Sequence, residues 1–414
     1  MTSATRPVVA LGLLTALNFL NYIDRYILFG VLPLIKREFH SSDTALGALT
    51  TVFFIFYMFS APAIGFLADR RSRKLIITIG AIVWSGATLL TAATHSFTTL
   101  LVRHTIVGIG EATFSLIAPA YIADLFAEER RGQVLSIFYL AIPMGAALGY
   151  IIGGALGTSH GWRAPFYVCA IPGFLVAFVF YFAVAEPARG AREIALHSVE
   201  RTTVAGLLRN RAFWTATLGL AMLTFAMGGI SAWMPTFLER ERGIALDRAN
   251  YYFGLITVVN GLAGTAVGGW LGDLWLRRSR GAYYALSGIS ALLAIPGALF
   301  AFYGNPAWIF PSIFVAEFFL FLNTGPLNAA IVNSVAAPIR ATAIGLNLFV
   351  IHLLGDTFSP TLIGAISDRS SLRLGFSLTL VAMVVSAMIL FVGTRFAPPR
   401  ASDQQQRDLA GASA

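Results

Sequence analysis

Charge, lysine and cysteine are all scarce in this chain. Only 12% of its 414 residues are charged, against 57% hydrophobic, a balance that excludes an ordinary soluble domain, in which roughly a quarter of the residues carry charge. The single cysteine, Cys169 among apolar neighbours, excludes an internal disulfide and a cysteine-based metal cluster, and reads as a packed helix position. No His and Cys grouping has metal-ligand spacing, so no metal site is expected. The dipeptide Gly-Lys does not occur. Its absence removes the phosphate-binding loop and with it ATP-driven pumping, and no nucleophile stands beside a base at motif spacing, so the chain is not expected to be an enzyme. Lysine supplies only Lys36 and Lys74 of 29 basic residues, a bias read as GC-rich bacterial codon usage and given no chemical weight. The net charge of +9 falls in short gaps between apolar segments. It has no stripe of basic residues interleaved with stacking aromatics, so it marks membrane topology and no nucleic-acid partner is expected.

What the chain has is apolar length. Runs able to fill the roughly 20 residues that hydrocarbon demands recur near 8–34, 44–69, 74–95, 98–125, 130–157 and 163–184, then near 211–238, 247–276, 280–303, 307–336, 339–367 and 372–395. The fold expected is an all-α membrane protein of twelve transmembrane helices. Its domains are a six-helix bundle over 1–185, a linker over 186–210 with a short amphipathic helix around Val204, Leu207 and Leu208, a second six-helix bundle over 211–396, and a polar, disordered tail over 397–414. Arg6 is the one basic residue before the first run, and no small-residue cleavage site follows it, so a retained first helix is expected. With an even number of spans both termini share a side, and that side holds 19 of the basic residues against 8 opposite. The positive-inside rule then puts the termini and linker in the cytoplasm, in the inner membrane of a bacterium. A monomer is expected.

The halves echo one another. Gly65-Phe66-Leu67-Ala68-Asp69 precedes Arg70, Arg71 and Arg73, and Gly269-Trp270-Leu271-Gly272-Asp273 precedes Arg277 and Arg278, each between the second and third span of its half. Such an echo is the mark of structural repeats around a central pathway.

The first copy, continuing through Ser72, Arg73 and Lys74, resembles the signature loop of the major facilitator superfamily, with Ser72 where glycine is usual. The resemblance extends over essentially the whole chain and implies two pseudo-symmetric six-helix bundles. It also implies that Asp69 and Arg70 gate the cytoplasmic side, and Asp124 and Arg131, at the same end of the fourth span beside Glu129 and Arg130, are expected to join them. Arg103 with Gly108-Ile109-Gly110-Glu111-Ala112 resembles the superfamily's fourth-helix motif, in which the arginine is associated with proton coupling. Gly145 to Gly154 is similar to the fifth-helix motif of drug antiporters, but Tyr150 replaces a proline, which weakens assignment as a drug exporter; close helix packing is the alternative role for the glycines. Asn21-Tyr22-Ile23-Asp24-Arg25-Tyr26 continuing to Gly30-Val31-Leu32-Pro33, Gly108-Ile109-Gly110-Glu111-Ala112 through Ile117-Ala118-Pro119 to Ile122-Ala123-Asp124-Leu125-Phe126, and Glu186-Pro187-Ala188-Arg189-Gly190 are similar to the Spinster family, whose animal members are lysophospholipid and sphingosine-phosphate transporters; the first stretch is shared with organic-anion symporters of the same superfamily.

A charge inside hydrocarbon is costly unless paired or wetted, so those that persist there are candidates for function. At about 1.5 Å of rise per residue, Asp24 lies roughly 15 Å inside the far end of the first span, with Arg103 roughly 7 Å and Glu111 roughly 20 Å from the same surface. These four, Asp24, Arg25, Arg103 and Glu111, are expected to form one network. Arg25 and Arg103 would hold an anionic head group, since guanidinium stays charged and forks around phosphate or carboxylate. Asp24 and Glu111 would exchange a proton, because burial and a neighbouring guanidinium act on a carboxylate in opposite senses; the alternative is a permanent interhelix salt bridge. Glu317, His352 and Asp356 are candidates for the same cavity in the second half, His352 lying one helical turn before Asp356. Phe53, Phe54, Tyr57, Phe114, Tyr139 and Met144 are candidates for an apolar wall. The function expected is proton-linked movement of an amphiphilic lipid with an anionic or zwitterionic head, with protons as the coupling ion and no cofactor. A symporter of small organic anions and an uncoupled scramblase or receptor are the alternatives.

Overall fold

The structure, a computed structural model, describes residues 7–187, 204–335 and 339–398. Most of the expected linker and tail therefore lies outside the described residues. Among the described residues twelve helical segments are long and apolar enough to cross a membrane. The first six are single helices: α1 (Pro7–Phe39), α2 (Asp43–Arg70), α3 (Arg73–Ala92), α4 (Phe97–Leu125), α5 (Glu128–His160) and α6 (Ala164–Ala183). Helix is the natural solution because hydrocarbon offers no partner for a bare N–H or C=O. Serines start several of these helices: the hydroxyls of Ser42, Ser72 and Ser96 accept from the backbone N–H of Ala45, Leu75 and Thr99, satisfying one orphan donor each. The expected linker helix is present as α7 (Val204–Leu208), with Leu207 buried.

The second set begins with α8 (Arg211–Arg240), α9 (Leu246–Leu276) and α10 (Ala282–Tyr303), and then departs from unbroken helix. The tenth span is a 3₁₀ turn, Pro306–Trp308, followed by α11 (Ile309–Leu322) and α12 (Thr324–Asn333). Pro326 lies in the first turn of α12, and a proline has no N–H to give the preceding turn. The eleventh span is α13 (Arg340–Ile351), a π segment His352–Asp356 with non-helical backbone at Gly355, and α14 (Ser359–Arg369). The twelfth is α15 (Leu372–Gly375) with α16 (Ser377–Gly393).

The helices form two compact units. Among the described residues the first holds 7–187 with 228–258 and 356–376; the second holds 204–227, 259–335, 339–355 and 377–398. In the first unit α1 and α5 lie against each other along the glycines of the fifth-helix run. A Cβ on Gly145 would stand 2.7 Å from the Phe19 carbonyl oxygen, and one on Gly149 would stand 2.8 Å from that of Ile23. Helix packing is thus what these glycines serve in this structure. In the second unit a Cβ on Gly297 would stand 2.9 Å from the Ser312 oxygen, and the Tyr284 hydroxyl ties α10 to α8 through the Ala212 carbonyl at 2.9 Å.

Candidate functional site

Midway along α1, Tyr22 and Arg25 are three residues apart and so share a helix face. On α2, Phe53 and Phe54 stand four and three residues before Tyr57 and so flank it along the helix. The Arg25 guanidinium carbon lies 5.0 Å from the ring centre of Tyr22, 4.8 Å from Phe53, 5.6 Å from Phe54 and 6.0 Å from Tyr57. Four π faces thus surround one cation, each contact being worth about 0.5–2 kcal/mol as its surroundings dry. The counter-charge comes from α4, where Glu111 is fully buried and accepts from Arg25 through Oε2, at 2.6 Å from Nη2 and 3.2 Å from Nε. Gly108 permits this meeting. A Cβ there would lie 2.5 Å from the Phe53 carbonyl oxygen, so only glycine lets α2 and α4 approach closely enough to bring the phenylalanine over Arg25 and Glu111 beneath it. Phe53 also rests on the buried His104 ring, at 5.4 Å.

Of the four residues expected to form one network, Arg25 and Glu111 form a pair, Asp24 lies near Glu111 but bonds to a third helix, and Arg103 bonds at the end of α3. Asp24 is buried but faces α3, where Oδ2 accepts from the Thr88 hydroxyl at 3.5 Å. Adjacent helix positions differ by about 100°, so Asp24 and Arg25 address different neighbours. Arg103 lies at the end of α3. Its Nη1 donates to the Leu90 carbonyl and, at 2.7 Å, to the Thr94 hydroxyl, where it serves the exposed carbonyls at the end of α3. Glu111 Oε1 and Asp24 Oδ1 are buried without a hydrogen-bond partner among the described residues.

Of the expected apolar wall, Phe53, Phe54 and Tyr57 form the cage around Arg25. Phe114 does not line open space: it is fully buried, with Trp84 and Phe138 against its ring at 5.7 and 6.0 Å, so it belongs to the core of the first bundle. Tyr139 and Met144 are nearly half exposed on α5. In the later spans Glu317 is buried on α11. His352 and Asp356 lie in the π segment that breaks at Gly355, so the regular one-turn spacing that put them on one face does not hold. Asp356 packs on α8, where a Cβ at Gly228 would collide with it.

On the side of the termini, Asp69 and Arg70 are exposed, and the Arg70 guanidinium lies 3.5 Å over the Phe66 ring. Asp124 does meet the signature loop, through a residue the sequence reading did not single out: Arg73 Nη1 donates to it at 2.5 Å. Arg73 also donates to Glu186 at 3.2 Å and to the Pro187 carbonyl at 3.1 Å, while Glu186 accepts from the Lys74 N–H at 2.8 Å and so caps α3. Arg131 donates instead to the carbonyls of Ala123 and Phe126 at the end of α4. The side chain of Glu129 lies outside the described residues.

The far side holds a latch that sequence alone did not reveal. Asp43, first in α2 and 1% exposed, accepts from Lys36 of α1 at 2.6 Å and from both Arg240 nitrogens of α8 at 2.6 and 3.0 Å. It also accepts from the Ser367 hydroxyl of α14 at 2.5 Å. In return Asp368 of α14 accepts from the N–H of Asp43 at 2.7 Å and that of Thr44 at 2.9 Å, capping α2 from another helix. Below it, a Cβ on Gly47 would stand 2.5 Å from the Pro360 oxygen, so the two backbones touch. Thr51 continues the seam by donating to the Thr357 carbonyl at 2.6 Å.

This fold matches known proteins along its length. The profile of the Major Facilitator Superfamily fits residues 14–360. Protein spinster homolog 3 of Danio rerio is 36% identical over 393 residues, covering 89% of this chain and 78% of that one. Sphingosine-1-phosphate transporter SPNS2 of Danio rerio is 35% identical over 413 residues, covering 92% and 82%. Among solved structures, a bacterial homologue of the human lysosomal transporter Spinster, inward-facing and unoccupied, is similar with a TM-score of 0.86 at 24% identity over 94% of this chain and 97% of that one. A D-xylose-proton symporter shares the fold at a TM-score of 0.75 and 17% identity, covering 94% and 98%. The chain belongs to the major facilitator superfamily and, within it, to the Spinster family. It is a membrane transporter and not an enzyme.

Proposed function

We propose that the chain is a secondary active transporter that moves an amphiphilic lipid with an anionic or zwitterionic head, such as a lysophospholipid, by alternating access linked to protons. The observation that carries this reading is the buried Arg25–Glu111 pair with one unpartnered carboxylate oxygen inside an aromatic cage. A proton on Glu111 neutralises the counter-charge and releases Arg25 to fork around a phosphate or carboxylate, and the surrounding rings suit the start of an acyl chain. Asp24 is the second proton site. The relative that is a sphingosine-1-phosphate transporter supports a lipid with an anionic head. On this reading protons are the only cofactor, and Asp69, Arg70, Asp124 and Arg131 work with Arg73 as the cytoplasmic gate. The chain is a monomer in a bacterial inner membrane, with its termini and the linker over 186–210 in the cytoplasm.

The test is transport of a fluorescent lysophospholipid in liposomes, with and without an imposed pH gradient, beside Glu111→Gln and Asp24→Asn. Gradient-driven movement that both variants lose is the expected result. Uptake of small carboxylates in place of lysolipid would replace the substrate class, and lysolipid movement indifferent to pH and to both variants would make the protein a scramblase.

A further inference from the structure

Beside the latch lies a cavity of about 470 Å³ whose lining includes Lys36, Arg37, His40, Ser41, Glu239 and Arg240. Its volume falls in the range of small-ligand sites. Three cationic side chains and an imidazole line it together with a single carboxylate, Glu239, which Arg37 engages. His40 turns the chain at the rim with φ +49°, a left-handed conformation that costs a non-glycine residue about 1 kcal/mol or more. Lys36 and Arg240 are each about one-third exposed although they hold Asp43. An ammonium has three donors and a guanidinium five, so both have hydrogen-bonding capacity toward the cavity beyond the bonds to Asp43. Asp43 itself is buried behind them.

We propose that this cavity binds a phosphate-type oxyanion, and that its occupant competes with Asp43 for Lys36 and Arg240 and so opens the latch. Once both cations turn to the anion, Asp43 is left with Ser367 alone, and a buried carboxylate so poorly paired is unstable where it lies. The site stands apart from the midplane pair, so the proposal does not depend on which substrate crosses there.

The experiment uses the full chain in detergent with Cys169→Ala and Thr51→Cys, which puts the sole thiol in the seam behind Asp43. Its labelling by a polar maleimide is followed with inorganic phosphate against sodium chloride of equal ionic strength, and again with a soluble short-chain lysophosphatidate. Phosphate is expected to speed labelling about tenfold, the scale of one charge-assisted hydrogen bond. Glu239→Gln, which frees Arg37, is expected to lower the half-maximal phosphate concentration about tenfold, a gain that a merely damaged fold does not give. Asp43→Asn is expected to label fast without any anion and to ignore phosphate. An effect of both probes assigns the site to free anions, and an effect of the lysophosphatidate alone assigns it to a lipid head group. Labelling that neither probe speeds, that phosphate slows, that chloride speeds equally or that Glu239→Gln leaves unchanged would overturn the proposal.

Discussion

Glu111 and Asp43 are both buried carboxylates held by basic side chains, yet their surroundings differ. Glu111 has one arginine, and one of its oxygens lacks a partner. Asp43 has a lysine, an arginine and a serine on its two oxygens. A carboxylate that is under-coordinated in a dry place changes state by taking up a proton. One that is fully coordinated near water changes state when its partners leave. The first arrangement suits coupling to an ion, the second suits a gate whose parts come from four helices.

Removing each carboxylate tests that contrast. Glu111→Leu leaves Arg25 in a dry site without a counter-charge and is expected to cost about 3–5 kcal/mol of stability, read from unfolding in detergent. Asp43→Leu strands two cations that already reach water, so about 1–2 kcal/mol is expected from the same measurement. Equal losses would erase the distinction. Phe53→Leu removes one face of the cage and is expected to lower stability by about 1 kcal/mol and to slow lysolipid transport without changing its response to a pH gradient. Arg103→Gln is expected to cost about 0.5–1 kcal/mol through the end of α3, with the pH response of transport kept. Loss of that response would return Arg103 to the coupling network.

The twelve spans were legible because hydrocarbon demands long apolar runs, and the observed helices begin and end within a few residues of them. The Arg25–Glu111 pair was legible as two charges where charge is expensive. Which way each charge faces was not, because Asp24 and Arg25 are neighbours in sequence but address α3 and α4 respectively. Arg103 shows the same limit: depth alone does not separate a pathway residue from one serving a helix end. The break at Gly355 left only a glycine and a nearby proline as its signal. The latch was hidden for another reason. Asp43, Arg240 and Asp368 are each more than a hundred positions from the next, and each alone resembles a solvated loop charge. A Ser-Asp pair at the start of one span and another at the end of a later one was the available hint.

Below the polar latch, α2 and α14 meet at Gly47 against Pro360 and, one turn from the end, at Gly364 against the Asp43 backbone. Glycine has no side-chain rotamers to surrender when the seam shuts, and proline has almost none. Closing this stretch therefore orders little, and opening it releases little. If the latch opens as proposed, the balance between its two forms is expected to rest on the charges at its rim and the Thr51 hydrogen bond, and salt is expected to shift it more than temperature does.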